Sequence, residues 1–159
     1  MVFSKKITLL LSNEEAIDHF SDTVYRVAFN QVKNRMDAED VFQEVFLRFI
    51  KYNKGFDSME HAKAWFIRTT INCCRTFFTK QKKHSEVELV IDVPEEKITP
   101  YGMTECVGEL EEKYRIVVHL FYYEQYKIKE IAELLQENEN TIKTRLTRAK
   151  KILKEKWQE

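Results

Sequence analysis

Apolar residues recur along this chain at spacings of three and four, the periodicity of helices that bury one face. The first stripe begins soon after Ser12, and Glu15 stands three residues after that serine, which is the spacing of a capping box. The sequence therefore predicts a first helix that starts at Ser12. Its predicted buried positions are Ile17, Phe20, Val24 and Val27.

Two longer helices are predicted next. The second runs from about Asp37 to about Tyr52, where Asn53-Lys54-Gly55 breaks it, and its buried face comprises Ala38, Val41, Phe42, Val45, Phe46 and Phe49. The third runs from about Met59, capped by Ser58, to about Lys83. One of its stripes is predicted to be buried and consists of Ala64, Ile67, Ile71, Cys74 and Phe78.

The C-terminal part has the pattern of a helix-turn-helix. A two-turn helix buries Ile128, Ile131, Ala132 and Leu135, and Gln136-Glu137-Asn138 forms a short turn. Asn138 is a suitable N-cap for the next helix. That helix buries Ile142, Leu146, Ala149 and Leu153. Two short helices joined by three residues indicate a helix-turn-helix.

Charge divides the chain into three blocks, although its 26 basic and 26 acidic residues cancel. Residues 1–84 have a net charge of +4, residues 85–112 of −8 and residues 113–159 of +4. The acidic stretch contains Pro94 and ends near Pro100, which can begin a short helix. We therefore predict an all-α fold with two small domains, 1–83 and 100–159, joined by an acidic linker at 84–99.

Composition excludes several classes of protein. No segment approaches the roughly 20 apolar residues of a membrane helix, and acidic residues follow the first apolar run too closely for a signal peptide. The three cysteines form no C-x-x-C pair, so buried thiols in a reducing cytoplasm are expected. The four histidines match no catalytic or metal-binding motif, and we expect neither enzymatic activity nor a cofactor or metal.

The outward face of the last helix has the composition of a DNA recognition helix. At about 100° per residue, polar groups lie near its start and cations lie further along, an order that suits base contacts followed by phosphate contacts. The alternative is a solvated basic helix that merely ends the chain. The predicted contacts are Asn138, Asn140, Lys143, Thr144, Thr147, Arg148 and Lys151.

The N-terminal half carries two further polar faces. On the second helix, acids surround an exposed Leu47, as on a surface that docks on a basic partner, although ordinary solvated faces look similar. On the third helix, Trp65 stands beside cations, a combination that can stack an unpaired base while holding its phosphate. Core packing explains Trp65 equally well at this point.

These motifs resemble bacterial sigma factors. Asp37-Ala-Glu-Asp-x-x-Gln-Glu-x-Phe, followed by Ala64-Trp65-Phe66-x-Arg68 and Asn72, resembles sigma region 2. Glu130-Ile-Ala-Glu-Leu-Leu, followed by Asn138-x-x-Thr-Ile-Lys-Thr-Arg-Leu-x-Arg-Ala-Lys, resembles region 4. Two such domains separated only by a linker resemble the extracytoplasmic-function (ECF) group of the sigma-70 family. The resemblance covers roughly residues 12–157.

The resemblance implies that the chain binds core RNA polymerase and promoter DNA in the cytoplasm, and that an anti-sigma factor restrains it. The implied polymerase-docking residues are Asp37, Asp40, Gln43, Glu44 and Leu47. The implied contacts that melt and hold the −10 region are Lys54, Phe56, His61, Trp65, Arg68, Asn72 and Arg75. The recognition helix corresponds to the reader of the −35 region, and the linker corresponds to a segment that threads through the polymerase.

The sequence departs from the family pattern at several positions of region 4. Lys127 replaces a frequent capping serine, Gln136 and Asn140 replace glycines, Glu137 replaces an aliphatic residue, and Glu111 replaces a proline. A residue with a Cβ at position 136 must form the turn at some strain. Asn140 adds a side chain that can pair with adenine in the major groove.

Other classes of function stay open on the sequence alone. A stand-alone helix-turn-helix regulator would need an N-terminal ligand or phosphorylation domain, for which the first 84 residues look too small and too helical. An enzyme and a helical adaptor that binds protein through its basic faces are the further alternatives.

Overall fold

The computed structural model describes residues 8–84 and 105–157, and within them every regular element is helical. The helices are α1 (Asn13–Val32), α2 (Arg35–Lys51), α3 (Met59–His84), α4 (Glu105–Gly108), α5 (Glu112–Val118), α6 (Ile128–Leu135) and α7 (Glu139–Trp157). A π-helical turn (His119–Tyr123) continues α5. The extended backbone in these residues pairs only at one antiparallel bridge, between Leu9 and Phe56. The predicted all-α fold is confirmed.

The chain divides into two compact units, Met1–Cys73 and Cys74–Glu159, and the boundary lies within α3. Residues 85–99 of the predicted linker and the predicted helix start at Pro100 lie outside the described residues. The proposed domain limits, 1–83 and 100–159, therefore stay predictions.

The capping interactions predicted for the N-terminal half form as expected. The Ser12 hydroxyl accepts from the Glu15 N–H at 3.1 Å, and the Glu15 carboxylate accepts from the Ser12 N–H at 3.3 Å. The second helix begins slightly earlier than predicted because the Asn34 side chain accepts from the Asp37 N–H at 2.8 Å. At the start of α3, the Ser58 hydroxyl accepts from the His61 N–H.

The core of the first unit is aromatic and centres on Phe66. Its ring is fully buried and lies 4.8 Å from the Phe20 centroid, 5.4 Å from that of Phe46 and 5.2 Å from that of Phe49. The predicted α3 stripe omitted Phe66. The buried surface of α3 is wider than that stripe, since Ala62, Phe66, Thr70 and Cys73 are buried beside Ile67, Ile71 and Cys74.

Six predicted core positions are less buried than expected. Ile17 is 47% exposed, because Ala16, one residue round the helix, faces the core in the first turn of α1. The other five are half-buried: Phe42, Ala64, Phe78, Ile128 and Leu153. The remaining α1 positions, Phe20, Val24 and Val27, are buried as predicted.

The second unit packs α7 against α5 and α6. Leu110, Tyr114, Val118 and Ala149 form one buried cluster, with Ile152 and Leu153 half-buried at its edge. Leu120, Ile131, Leu135, Ile142 and Leu146 are buried as well. Arg115 is buried, and its guanidinium donates to the Leu110 carbonyl at 2.6 Å, which satisfies part of its hydrogen-bonding capacity.

Candidate polymerase- and DNA-binding surfaces

The predicted helix-turn-helix is present, and its turn contains a left-handed residue. α6 ends at Leu135 and α7 begins at Glu139. Gln136 adopts φ 55° and ψ 45°, and the Glu137 N–H donates to the Ala132 carbonyl at 3.0 Å. The turn thus takes the shape for which glycine is usually selected, at a cost of about 1 kcal/mol for a residue with a Cβ.

Hydrogen bonds of side chains fix both helix starts. Asn138 Oδ1 accepts from the N–H and the hydroxyl of Thr141, at 2.8 and 2.9 Å. Lys127 supplies no cap of its own, but the Glu130 carboxylate accepts from its N–H at 3.1 Å. Nη2 of Arg145 donates to Oε1 of Glu137 at 3.4 Å and so links α7 to the turn. This contact was not predicted from the sequence; its signal is the eight-residue spacing of opposite charges across the turn.

The outward face of α7 is open to solvent along its length. The predicted contact residues are all exposed: Asn138, Asn140, Lys143, Thr144, Thr147, Arg148 and Lys151. Asn138 is engaged in capping, and the Thr147 hydroxyl donates to the Lys143 carbonyl at 2.9 Å. Asn140, Thr144 and the cations therefore present the polar groups that can reach a duplex.

In the first unit, Trp65 is half-buried within a set of aromatic rings. Its centroid lies 4.9 Å from Tyr52, 5.9 Å from Phe56 and 6.2 Å from Phe49. One portion of the indole packs against these rings and another remains accessible, so the stacking of an unpaired base on Trp65 stays a prediction. Arg68, Asn72 and Arg75 are exposed on the same helix, which continues the predicted stripe.

Only some of the predicted −10 contacts in and beside the loop 52–58 are exposed. Lys54 and His61 are exposed, and His61 Nδ1 accepts from the Asp57 N–H at 3.0 Å. Phe56 is 1% exposed, so its ring does not face solvent as a surface contact would. It lies instead against Tyr52 and edge-on to Trp65 and His61.

The acidic face of α2 is exposed and contains more apolar surface than predicted. Asp40, Gln43, Glu44 and Leu47 are exposed, whereas Asp37 is half-buried and bonded to the Asn34 side chain. Met36 and Ile50 are 74% and 57% exposed and share this face with Leu47, which is 52% exposed. The signal that was missed is their spacing: residues 36, 40, 43, 47 and 50 alternate steps of four and three. We call residues 36, 40, 43, 44, 47 and 50 the α2 face.

The remaining candidate groups are the cysteine thiols and any side chains that could bind a metal. Burial raises the pKa of the Cys73 thiol, although Arg48 acts in the opposite direction, so the reactive thiolate is disfavoured. Cys73 and Cys74 are buried free thiols, as predicted, and the Cys106 side chain lies outside the described residues. In residues 8–84 and 105–157, no group of three acidic, histidine or cysteine side chains could hold a metal. No helix in this part of the chain is long and apolar enough to cross a membrane.

Comparison with known proteins identifies the family. The family model for sigma-70 region 2 matches residues 16–84, and the model for sigma-70 region 4 matches residues 103–153. The chain is similar to the RNA polymerase sigma factor SigV of Bacillus subtilis, with 34% identity over 142 residues that cover 86% of this chain and 85% of the relative. It is also similar to the ECF RNA polymerase sigma factor SigW of the same species, with 26% identity over 160 residues that cover 88% and 86%.

A solved structure has the same fold. The sigma factor RpoE of Bartonella quintana, crystallised with the anti-sigma factor NepR, superimposes with a TM-score of 0.64 at 17% identity. That match covers 89% of this chain and 94% of RpoE. The two region matches, the relatives and the helix-turn-helix agree with one another. The chain therefore belongs to the ECF group of the sigma-70 family, whose members direct RNA polymerase to promoters.

Proposed function

We propose that the α2 face docks this sigma factor on the clamp helices of core RNA polymerase. The observation that carries the proposal is the chemistry of the two exposed faces in the N-terminal half. The α2 face combines carboxylates with three exposed apolar side chains, whereas the exposed stripe of α3 presents cations and an indole. The first face suits a basic protein surface and the second suits DNA.

The exposed stripe of α3 and the loop 52–58 open the −10 region and hold its unpaired bases. The accessible part of Trp65 offers a surface on which a base can stack, and Arg68 and Arg75 are exposed on the same helix for contacts with phosphates. Asn72, Lys54 and His61 supply further polar contacts. Phe56 contributes indirectly, because its buried ring packs against the rings of Trp65 and Tyr52 and supports them.

The exposed face of α7 reads the −35 region in duplex DNA. Asn140 and Thr144 lie in the first turns, where base edges are within reach, and Lys143, Arg148 and Lys151 contact phosphates. Since Asn138 and Thr147 already bond within the helix, their contribution is to shape the helix as well as to contact DNA.

The remaining proposals are supported by membership of the family. The acidic linker at 84–99 threads through the polymerase between the two DNA-binding units. An anti-sigma factor restrains the free protein; the structural neighbour RpoE was crystallised in complex with the anti-sigma factor NepR. The protein has no catalytic activity of its own and acts in the cytoplasm, where polymerase and promoters meet.

A charge reversal on the α2 face tests the docking proposal. Asp40→Lys with Glu44→Lys should abolish binding to core polymerase, because two carboxylates aimed at a basic surface become two repelling cations. Asp18→Lys with Asp22→Lys is the matched control, since it reverses two exposed acids at the same spacing on α1. Binding is measured by fluorescence anisotropy of the labelled chain titrated with core polymerase. If the α2 variant binds as tightly as the control, the docking face is wrong.

A further inference from the structure

A short extended segment before α1 lies across the loop 52–58 and pairs with it. The Leu9 N–H donates to the Phe56 carbonyl at 2.7 Å, and the Phe56 N–H donates to the Leu9 carbonyl at 2.8 Å. These two bonds close the single antiparallel bridge of the described residues. We call residues 8–11 the strap.

Gly55 is the residue that lets the strap approach. A Cβ at this position would overlap Cγ2 of Thr8 and lie 2.9 Å from the Leu9 carbonyl oxygen and 3.2 Å from Cδ2 of Leu10. The side-chain methyl groups could rotate away, but the carbonyl belongs to the backbone of the strap itself. Any larger residue at position 55 must therefore move the strap off the loop.

The strap is connected to the stacking surface through Phe56. The backbone of Phe56 is held by Leu9, and its ring lies edge-on to Trp65 and stacked on Tyr52. The loop is also fixed at both ends, by the Tyr52 N–H donating to the Phe49 carbonyl and by the Asp57 N–H donating to His61. The strap is the contact that fixes its middle, beside the exposed Lys54.

We propose that the strap is a positioning element that holds the loop 52–58 and Trp65 in the shape that captures unpaired −10 bases. The inference rests on the proposed role of this loop in opening the −10 region. The residues responsible are Leu9, through its two backbone bonds, and Gly55, through its missing side chain. Neither contacts the DNA in this account. Both act through Phe56.

Two pairs of variants and one further substitution test the positioning role in the full chain bound to core polymerase. Deletion of residues 1–11 removes the strap, whereas deletion of residues 1–7 keeps it. Leu9→Pro removes the N–H that donates to Phe56 and places the ring Cδ against that carbonyl. Leu9→Ala keeps the donor while shortening the side chain. Gly55→Ala displaces the strap by steric overlap.

The readouts are three affinities and one exchange rate. The holoenzyme is titrated with a single-stranded −10 oligonucleotide and with a −35 duplex, both from a promoter that run-off transcription identifies, and the free chain is titrated with core polymerase. Hydrogen exchange at the Phe56 amide reports the bridge directly, because that amide donates to Leu9.

We expect loss of −10 affinity alone. Loss of one backbone hydrogen bond shifts the equilibrium between the paired and the unpaired loop by about two- to tenfold. Leu9→Pro and Gly55→Ala should therefore weaken −10 binding by that factor. Deletion of residues 1–11 should weaken it by about tenfold or more. Affinity for the −35 duplex and for core polymerase should stay within about twofold, as should all affinities of Leu9→Ala and of the 1–7 deletion. Exchange at Phe56 should be slow in the wild type and fast after deletion of 1–11.

Three results would overturn the positioning role. The first is equal −10 affinity after deletion of 1–11 and of 1–7. The second is a parallel fall of all three affinities, which would mean that the strap only supports folding. The third is a loss already complete after deletion of 1–7. Failure of the wild-type chain to bind polymerase or any −10 strand would instead reject the proposed function, while exchange at Phe56 would still report the strap.

Discussion

Truncation of Leu47 provides a quantitative test of the α2 face. Full burial of a leucine side chain contributes about 1.5–3 kcal/mol, and Leu47 is 52% exposed in the free chain. Docking can therefore recover roughly half of that energy, about 0.8–1.6 kcal/mol, and Leu47→Ala should raise the Kd for core polymerase about four- to fifteenfold. Because Leu47 lies largely outside the core, the variant should remain folded by circular dichroism.

A second exposed apolar residue serves as the control for this measurement. Ile17 on α1 is 47% exposed, so Ile17→Ala removes a side chain of similar size and exposure from a different helix. It should leave the Kd within about twofold. Adding Met36→Ala and Ile50→Ala to Leu47→Ala should raise the Kd by a further factor of about 30 to 800, since these two residues are more exposed than Leu47 and together contribute about 2–4 kcal/mol. Equal effects of Leu47→Ala and Ile17→Ala would refute the reasoning, because the apolar contribution would not be specific to α2.

Three further predictions concern the second unit and the α3 core. Gln136→Gly should raise the free energy of unfolding in urea by about 1 kcal/mol, because glycine adopts the left-handed conformation without strain. Glu133→Gly within α6 should lower that free energy. If both variants change the free energy of unfolding in the same direction, the strain assigned to Gln136 is contradicted. Lys143→Ala with Lys151→Ala should reduce the salt slope of −35 binding by about two, and an unchanged slope would show that neither contacts phosphate. Alkylation of Cys73 at pH 8 should be slow in the folded chain and fast in urea, because burial raises the pKa of the thiol; rapid labelling of the folded chain would contradict its burial.

Features encoded by a few neighbouring residues could be predicted from the sequence. The capping box of Ser12 and Glu15 and the cap of Asn138 depend on side chains that reach backbone groups three residues away. The strain at Gln136 could be expected because a residue with a Cβ stands where the family usually has glycine. These elements require no knowledge of the rest of the fold.

Features set by packing between distant segments could not be predicted. Helical periodicity cannot decide between Ile17 and its neighbour Ala16, because the choice depends on which helix lies opposite. Phe56 was expected at the surface because it lies in a loop, yet its ring is buried beside Tyr52 and Trp65 and its backbone pairs with Leu9, 47 positions earlier. The strap itself has too few residues for a periodic pattern, and Gly55 alone signals only a turn.

The central claim is that the chain acts as a promoter-specificity subunit, and run-off transcription tests it most directly. Core polymerase from the encoding organism is supplied with genomic fragments, with and without the purified chain. The account predicts discrete transcripts that require the chain and that disappear with the Asp40→Lys and Glu44→Lys variant but persist with the control pair on α1. Absence of any such transcript, together with tight and specific binding of the free chain to duplex DNA, would contradict the account and indicate a stand-alone regulator.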